Sequence, residues 1–357
     1  MRLILIGTGP FAVPAFEQLY SSRHTVMALV TAPEREHRGR PIEAPSPLRR
    51  FAREHGTPIV DPPDINAPEA RQQLRSYAAD LLVVCDYGQI LKRETLAAAR
   101  LGGINLHASL LPKYRGAAPI NWAIYHGETH TGVTVIHMTP ELDAGPCIAR
   151  AEAAIGPEET AVELEARLAQ LGGGVLAHSV DMLEAGRAEP LPQDPALASK
   201  APRLKKTDGA IDWTRPAAAI KNQVRALEPW PKTYTFWHRR QGSPLRLILG
   251  PVRVVENFQE LPTDSPLLGS VKQALNRELF RQPPGTVLCA DSSLLIAAGQ
   301  GAIAPLSIQP AGKRMMPTQE FLRGHRIEPI IISEVTTTGG KLIRGFHIEP
   351  VDRFGPE

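Results

Sequence analysis

The chain has 357 residues, of which 43% are hydrophobic and 22% are charged. This composition is typical of a folded globular protein and excludes a largely disordered chain, and the length predicts two domains. The longest apolar runs, such as Leu81 to Cys85, have the length of a strand, which is too short for a bilayer span. The three cysteines (Cys85, Cys147 and Cys289) lack metal-ligand spacing, so we expect a reduced, cytoplasmic protein without metal.

The charge is unevenly distributed along the chain. Residues 1–202 have a net charge of −4 and residues 203–357 have +7, which together give the overall +3. An acidic front half followed by a basic back half is typical of a catalytic domain with an appendage that holds a polyanion. A solvated basic surface without a partner explains the same count and stays an alternative.

The first half of the chain alternates strand and helix signals. Apolar or alternating runs predict strands at 2–6, 25–30, 79–85, 103–106 and 132–138. Apolar residues at helical spacing predict helices at 11–20, 93–100 and 163–171, the last closed by Gly172, Gly173 and Gly174. This order predicts an α/β fold with a doubly wound parallel sheet, covered by helices on both faces.

A proline-rich stretch at 189–202 predicts an extended linker between a catalytic domain at 1–188 and a second domain at 203–325. The second domain begins with a helix that carries Ile220, Val224 and Leu227 on one face. Strands are then predicted at 233–237, 245–249, 252–255, 285–289, 294–298 and 302–308. Short strands separated by glycine and proline predict a small β-barrel. We predict an insertion at about 258–284, and the tail at 326–357 has no assigned role.

The first strand ends in Gly7-Thr8-Gly9-Pro10-Phe11-Ala12, which matches the G-x-G-x-x-A pattern of dinucleotide-binding folds. Two features weaken the match. Pro10 lacks the backbone N–H that a pyrophosphate needs, and the second strand is followed by Thr31-Ala32-Pro33 instead of an acidic residue. The simpler interpretation is a tight turn from strand to helix, and a nicotinamide-dependent dehydrogenase stays an alternative.

Polar side chains suited to group transfer are concentrated between residues 105 and 145. Asn105 and His107 are two residues apart in a strand, so both leave on one face, at the end where an α/β sheet binds its ligands. Asp143 lies in a turn after the next predicted strand. An amide, an imidazole and a carboxylate in one crevice can stabilise an oxyanion and move a proton, which favours transfer through a tetrahedral intermediate. Taken singly, each of these residue types is more often structural.

Motifs in this region and in the back half resemble those of the folate-dependent formyltransferases. They are Asn105-Leu-His-Ala-Ser-Leu-Leu-Pro112, Arg115-Gly-Ala-Ala-Pro119, Gly132-Val-Thr134, Leu142-Asp-Ala-Gly145, Lys200-Ala-Pro-Arg-Leu204, Ile211-Asp-Trp213, Glu228-Pro-Trp-Pro231, Gln309-Pro-Ala-Gly-Lys313 and Phe321-Leu-Arg323. The back half is most similar to the members that act on methionyl initiator tRNA. The resemblance implies a Rossmann-like catalytic domain followed by an OB-like barrel that helps to hold tRNA.

The resemblance also implies residue roles and a reaction. Asn105, His107 and Asp143 match the family's catalytic trio. The residues that match its tetrahydrofolate-binding loop are Ser109, Leu110, Leu111 and Pro112. The implied reaction moves a formyl group from the cosubstrate 10-formyltetrahydrofolate to the amino group of methionine on initiator tRNA. We expect a monomer that works without a metal or a membrane.

Cations outside the crevice are candidates for contacts with tRNA phosphates. They are Arg35, Arg38, Arg40, Lys205, Lys206, Arg239, Arg240 and Lys313. Two alternatives remain besides the dehydrogenase. A formyltransferase acting on an amino-sugar nucleotide would share the trio without needing a basic back half, and a non-catalytic RNA-binding module would leave residues 105–143 unexplained.

Overall fold

The computed structural model describes residues 1–34, 36–37, 40–41, 46–239, 242–256, 282–290, 293–325 and 327, with backbone alone at 36–37, 40–41 and 289. They form two compact units, residues 1–123 with 128–203, and residues 124–127 with those from 204 onward. Most of the predicted insertion and all of the predicted tail except Ile327 lie outside the described residues, as do Arg35, Arg38, Arg240 and the side chain of Arg40. Within the described part of the chain, no helix combines the length and apolar character needed to cross a membrane.

The first unit is built on strands and helices that alternate along the chain. Its strands are β1 (Arg2–Gly7), β2 (Thr25–Val30), β3 (Glu36–His37), β4 (Arg40–Pro41), β5 (Ile59–Val60), β6 (Leu81–Cys85), β7 (Gly103–His107), β8 (Arg115–Gly116), β9 (His130–His137), β10 (Cys147–Ala154) and β11 (Lys200–Ala201). Its helices are α1 (Ala12–Tyr20), α2 (Pro47–Glu54), α3 (Pro68–Ser76), α4 (Arg93–Leu96), α5 (Pro119–Tyr125), which runs into the second unit, and α6 (Ala161–Glu184).

A seven-stranded sheet in the order β10-β9-β7-β6-β1-β2-β5 forms the centre of this unit. The strands from β7 to β5 in this order are parallel, but β9 runs antiparallel to β7 and β10 antiparallel to β9. The prediction of a parallel sheet is therefore wrong at this edge, and the sheet is mixed. Alternating apolar residues identify a strand such as 132–138, but they carry no information about its direction.

Helix α6 does not end where its glycines predict. It begins with a capping box between Thr160 and Glu163 and continues through Gly172, Gly173 and Gly174 to Glu184. Added Cβ atoms would lie 2.8 Å from Leu106 Cδ2 at Gly172 and 2.7 Å from Gln18 Nε2 at Gly173. The glycines therefore allow close packing of α6 on β7 and α1, a tertiary reason that overrides their tendency to end a helix.

Two other predicted elements differ from the structure. The helix predicted at 93–100 is regular only over α4, because the amides of Arg100 and Leu101 donate to the carbonyls of Ala79 and Asp80 and lead the chain into β7. The proline-rich stretch at 189–202 packs on the first unit instead of running free. Leu191 and Cys147 exchange backbone hydrogen bonds of 2.8 and 2.9 Å, and β11 pairs with β8.

The second unit carries α7 (Ala217–Ala226), α8 (Thr318–Gly324) and two four-stranded sheets. One sheet has the order β12 (Thr233–Trp237), β13 (Leu245–Leu249), β18 (Ser307–Pro310) and β19 (Met316–Pro317). The other has the order β14 (Val252–Val255), β17 (Ala302–Pro305), β16 (Leu294–Ala297) and β15 (Val287–Ala290). The sheets share a core that includes Trp213, Ile220, Trp237 and Phe321.

The strand predicted at 302–308 is split into β17 and β18, which belong to different sheets. The Gly250 amide donates to the Ser307 carbonyl at 2.9 Å, and the Leu306 amide donates to the Pro251 carbonyl at 2.8 Å. A Cβ on Gly250 would lie 2.1 Å from Ser307 Oγ. Two paired strands therefore bend together at this corner, where a glycine permits close backbone approach.

Substitution can distinguish the packing role of Gly172 from the position of Gly174 on the exposed face of α6. Gly172→Ala places a methyl group against buried Leu106, so we expect a loss of about 1–3 kcal/mol in the free energy of unfolding. Gly174 is exposed and has no atom within 4 Å of an added Cβ, so Gly174→Ala should gain about 0.5–1 kcal/mol from helix propensity. Urea denaturation of both variants measures the difference, and equal effects would contradict the packing role.

Candidate active site

A cavity of about 490 Å³ opens beside the carboxyl ends of β6 and β7. Its wall includes Asn105 and His107 from β7, the segments 86–91 and 116–121, and the loop that carries Asp143. This is the edge at which open α/β sheets bind their ligands, and the volume is in the range of small-molecule sites. The predicted crevice is therefore present in the structure.

The three residues of the predicted trio meet at this cavity. Asn105 Nδ2 donates to Asp143 Oδ1 at 3.4 Å, and His107 Nδ1 lies 3.6 Å from Asp143 Oδ2. The second distance is that of a close electrostatic contact and exceeds hydrogen-bond length. His107 is only 5% exposed, so its ring touches the cavity through a small part of its surface.

A hydrogen bond at Nε2 sets the orientation of the His107 ring. Nε2 lies 2.9 Å from the backbone carbonyl oxygen of Tyr114. Because a carbonyl can only accept, Nε2 is the protonated nitrogen of this contact. Nδ1 is then left facing the Asp143 carboxylate, which makes it the nitrogen available to the site.

Asp143 reaches the trio by a different route from the one its position predicts. Because β9 is antiparallel, its C-terminal end lies beside the start of β7, away from His107. The loop after β9 then folds back, and Asp143 adopts a φ of +49°. Its Oδ2 accepts a 2.9 Å hydrogen bond from the Gly116 amide. The carboxylate is therefore positioned by the loop after β9 and by a backbone donor, and not by the end of the strand itself.

The predicted tetrahydrofolate-binding loop lies behind the trio. Ser109, Leu110, Leu111 and Pro112 are absent from the residues that line the cavity. Ser109 Oγ donates to the Lys113 carbonyl at 2.6 Å, and the Leu111 amide donates to Thr134 Oγ1 at 3.2 Å. These contacts fold the loop that presents the Tyr114 carbonyl to His107.

Gln193 is a site residue that sequence reasoning missed. Its Nε2 donates to the carbonyls of Asp143 and Gly145, both at 2.8 Å, and its Oε1 accepts from Arg115 Nη2 at 2.7 Å. One amide thus ties the Asp143 loop to the segment before Gly116. No sequence pattern marks this role, because Gln193 lies in a proline-rich stretch that predicts only a linker.

The turn after β1 is filled by Asp86 and offers no pyrophosphate site. The Thr8 and Gly9 amides donate to the Asp86 backbone carbonyl at 3.0 and 3.4 Å, and the Phe11 amide donates to the Asp86 carboxylate. A Cβ on Gly9 would lie 1.8 Å from Asp86 Oδ2. The donors that would bind a dinucleotide phosphate are therefore already used, and this carboxylate would repel one.

The cavity is acidic. Asp86, Glu141, Asp143 and Glu165 line it, with Arg203 as a cation on the same wall. Burial raises the pKa of the Asp86 carboxyl, and burial followed by the charge of Asp86 raises the pKa of Glu165. Such a wall favours a ligand that carries amino groups or other N–H donors.

The predicted phosphate-binding cations of the second unit are on its surface. Lys205 and Lys206 are exposed, with Lys206 opening a short 3-10 helix over 206–209. Arg239 and Lys313 are also exposed, in the connections after β12 and β18. By contrast, Trp237 is 9% exposed and packs edge-on against Phe321 at 6.1 Å, so its role is in the core.

Residues 1–180 match the model of the formyl transferase family, and residues 203–326 match that of the formyl transferase C-terminal domain. The chain belongs to the formyl transferase family. A curated methionyl-tRNA formyltransferase of Rhodopirellula baltica is 40% identical over 338 residues, 92% of this chain and 95% of that one. Another, from Geobacter sulfurreducens, is 38% identical over 331 residues, with shares of 92% and 95%.

The fold of this formyl transferase is also found in a solved structure. The N-formyltransferase of Helicobacter canadensis, in complex with folinic acid and dTDP-3-aminofucose, superposes with a TM-score of 0.60. The match covers 85% of this chain and 98% of that one at 15% identity. At this identity the likeness shows the fold alone.

The raised pKa of Glu165 predicts a pH-dependent effect on stability. An acid whose pKa is raised by folding costs stability above its unfolded pKa of about 4.3, fully so above its folded pKa. Glu165→Gln should therefore raise the melting temperature at pH 8 and leave it nearly unchanged below about pH 4. Thermal melts followed by circular dichroism across this range test the sign.

Glu163, two positions away, provides the matched control. Hydrogen bonds from Thr160 lower the pKa of Glu163, so its ionised form stabilises the protein above the unfolded pKa. Glu163→Gln should lower the melting temperature at pH 8, or leave it unchanged. A Glu165→Gln variant that is destabilised at pH 8 would contradict the assigned burial cost.

The bridging amide of Gln193 predicts a positioning role. Gln193→Glu keeps the oxygen that accepts from Arg115 but replaces the donor to the two carbonyls, so the Asp143 loop should shift. A shift of about 1 Å in this loop would lower the rate of formyl transfer by up to about 10²-fold. We expect the loss in kcat with little change in KM, measured by steady-state kinetics. Gln72→Glu, at an exposed position of α3, should behave as the parent, and equal rates for both variants would refute the role.

Proposed function

We propose that this protein transfers the formyl group of 10-formyltetrahydrofolate to the amino group of methionine on initiator tRNA. The meeting of Asn105, His107 and Asp143 at one cavity is the observation that carries this proposal. The curated relatives named for this reaction, at 38–40% identity over 92% of the chain, support the same substrate pair. Formation of N-formylmethionyl-tRNA for translation initiation is a cytoplasmic task, and we place the protein there as a monomer.

The reaction requires an uncharged amine as nucleophile. An α-amino group titrates near pH 8, so a usable fraction is neutral in the cell. The acidic cavity wall attracts the ammonium form, and Asp143 is then placed to take its proton, directly or through water. Attack by the nitrogen on the formyl carbon forms the new C–N bond and places negative charge on the formyl oxygen.

Donors at the trio stabilise that oxygen. Asn105 Nδ2 and His107 Nδ1–H, when the ring is protonated, can both donate to the oxyanion, and they lie on one face of β7. When the intermediate collapses, the bond to N10 of the folate breaks and that nitrogen takes up a proton. Asp143, which carries the proton lost by the amine, is the group within reach to return it.

The cavity would hold the folate, and the loop at 109–112 would act on the site indirectly. The backbone and side chains of 86–91 and 116–121 line a volume of about 490 Å³. N–H groups of a pterin suit the raised-pKa carboxyls of Asp86 and Glu165, while Arg203 suits a carboxylate tail. Ser109, Leu110, Leu111 and Pro112 would act by fixing His107 through the Tyr114 carbonyl.

We further propose that the second unit is an OB-like barrel that binds tRNA. The joint bend of β13–β14 and β17–β18 at Gly250 supports a curved sheet of this kind, because barrels turn strand pairs at glycines and bulges. Lys205, Lys206, Arg239 and Lys313 are exposed and suited to phosphate contacts, and we retain Arg35, Arg38, Arg40 and Arg240 as candidates on sequence grounds. The catalytic domain then includes residues 189–202, which contribute Gln193 and β11 to the first unit, and the barrel begins after residue 203.

Substitution of the trio tests the proposed reaction. Asn105→Ala removes an oxyanion donor, so we expect kcat to fall by about 10²–10³-fold with tRNA affinity unchanged. Asp143→Asn keeps the size of the side chain and removes its charge, with a loss of similar size. Transfer of labelled formyl from 10-formyltetrahydrofolate to methionyl initiator tRNA gives the rates.

Two comparisons complete this test. Asp212→Asn, at an exposed position where the side chain accepts from the Thr214 amide, should leave the rate unchanged. An amino-sugar nucleotide offered in place of tRNA should not be formylated. Full activity of both trio variants would refute the mechanism, and efficient formylation of the sugar nucleotide alone would replace the substrate.

A further inference from the structure

One sheet of the second unit has an outer face that none of the proposed steps uses. Along β12, Thr233, Thr235 and Trp237 point into the core, while Tyr234 and Phe236 lie half-buried on the opposite face. The strand register places Arg246 beside Phe236 and Ile248 beside Tyr234. We call these four outward residues, Tyr234, Phe236, Arg246 and Ile248, the stacking face.

The polar and aromatic groups of the stacking face are arranged as a platform. The guanidinium carbon of Arg246 lies 4.1 Å from the centroid of the Tyr234 ring, so the two planar groups are in cation–π contact. Tyr234 and Phe236 meet edge to face, with centroids 6.0 Å apart and planes at 90°. Arg246 is exposed, and among the described residues no carboxylate pairs with it.

The segments that touch this platform at its two ends each carry a cation. Gly209, which closes the short helix begun by Lys206, lies against Tyr234, since a Cβ there would be 3.2 Å from Tyr234 Cδ1. At the other end, the Ala311 amide donates to the Arg246 carbonyl at 3.0 Å and positions the turn that carries Lys313. Lys206 and Lys313 form no ion pair with the described carboxylates, whereas nearby Arg314 is paired with Glu320 at 2.6 Å.

We propose that the stacking face binds an unpaired nucleotide of the tRNA substrate, and this inference rests on the proposed function. A base can stack on the guanidinium plane of Arg246, which the Tyr234 ring supports, while Lys206 and Lys313 contact the adjacent phosphates. A polyanion is the occupant because the segments on both sides of the platform carry a cation that pairs with no described carboxylate, and because residues 203–357 carry a net charge of +7.

Variants that keep charge but remove the platform test this site. Arg246→Lys keeps the positive charge and loses the plane, and Tyr234→Leu loses the ring that supports it. Each should raise the Kd for methionyl initiator tRNA by about tenfold, which is the typical effect of losing one stacked base. The salt dependence of the Kd should stay unchanged, because no charge is lost. Fluorescence anisotropy at several salt concentrations gives both quantities.

Arg253→Lys is the matched control, because Arg253 is an exposed cation on β14, in the other sheet. It should bind tRNA as the parent does. The KM for tRNA should rise for Arg246→Lys and stay at the value of the parent for Arg253→Lys. If Tyr234→Leu lowers the melting temperature, the test of the stacking face rests on Arg246→Lys alone.

The outcomes separate this inference from the proposed function. Equal tRNA affinities for Arg246→Lys and Arg253→Lys would overturn the stacking face while leaving formyl transfer intact. A parent protein that binds tRNA but transfers no formyl group would refute the proposed function and not the face. A short single-stranded RNA should compete better than its duplex, and equal competition would reduce the site to phosphate contacts and overturn stacking.

Discussion

The active-site cavity depends on how the carboxylate of Asp143 is held against His107. Two donors from separate segments, the Gly116 amide and Asn105 Nδ2, fix its oxygens. Gly116 has a φ of +132°, and a Cβ there would lie 2.4 Å from the Ala201 carbonyl oxygen. A side chain at this position would therefore push β8 away from β11 and move the amide that holds Asp143. The proline-rich stretch thus belongs to the catalytic architecture through β11 and Gln193.

The polar wall of the cavity lowers the free energy of unfolding. The Glu165 carboxyl is placed where partial burial disfavours its charge, although an apolar side chain there would stabilise the fold more. Asp86 lies at the exposed end of the cavity, where it accepts the Phe11 amide at the start of α1 and closes the turn after β1. Polar groups kept at such a cost are typical of sites built for a ligand rather than for stability.

The sequence predicted the parts of the fold that depend on local pattern. The runs at Leu3–Ile6 and Leu81–Cys85 are apolar on both faces because both faces are covered, so their pattern predicts strands. Gly172 and Gly173 were misjudged because their role is close contact with Leu106 and Gln18, which lie far away in sequence. The split of 302–308 into two strands likewise depends on a remote partner, Gly250.

The candidate site shows the same division. Asn105 and His107 were found because alternation along a strand places both on one face. The turn that carries Asp143 is predicted by its place after a strand, but its approach to His107 depends on the antiparallel direction of β9 and on the fold of the loop, which the pattern does not indicate. The contacts of Gln193 span 50 residues in sequence to the Asp143 carbonyl, and an amide that binds backbone carbonyls leaves no compositional trace.

In the proposed function, the affinity for tRNA and the rate of formyl transfer depend on different interactions. Phosphate contacts of the second unit would act through charges that remain in water, so we expect them to weaken as salt screens them. The trio would act through contacts around a largely buried imidazole, where salt penetrates little and geometry decides the rate. Ionic strength should therefore act on KM for tRNA far more than on kcat. The acidic first half and the basic second half fit this proposal, since a site for an ammonium group and a surface for phosphates require opposite charge.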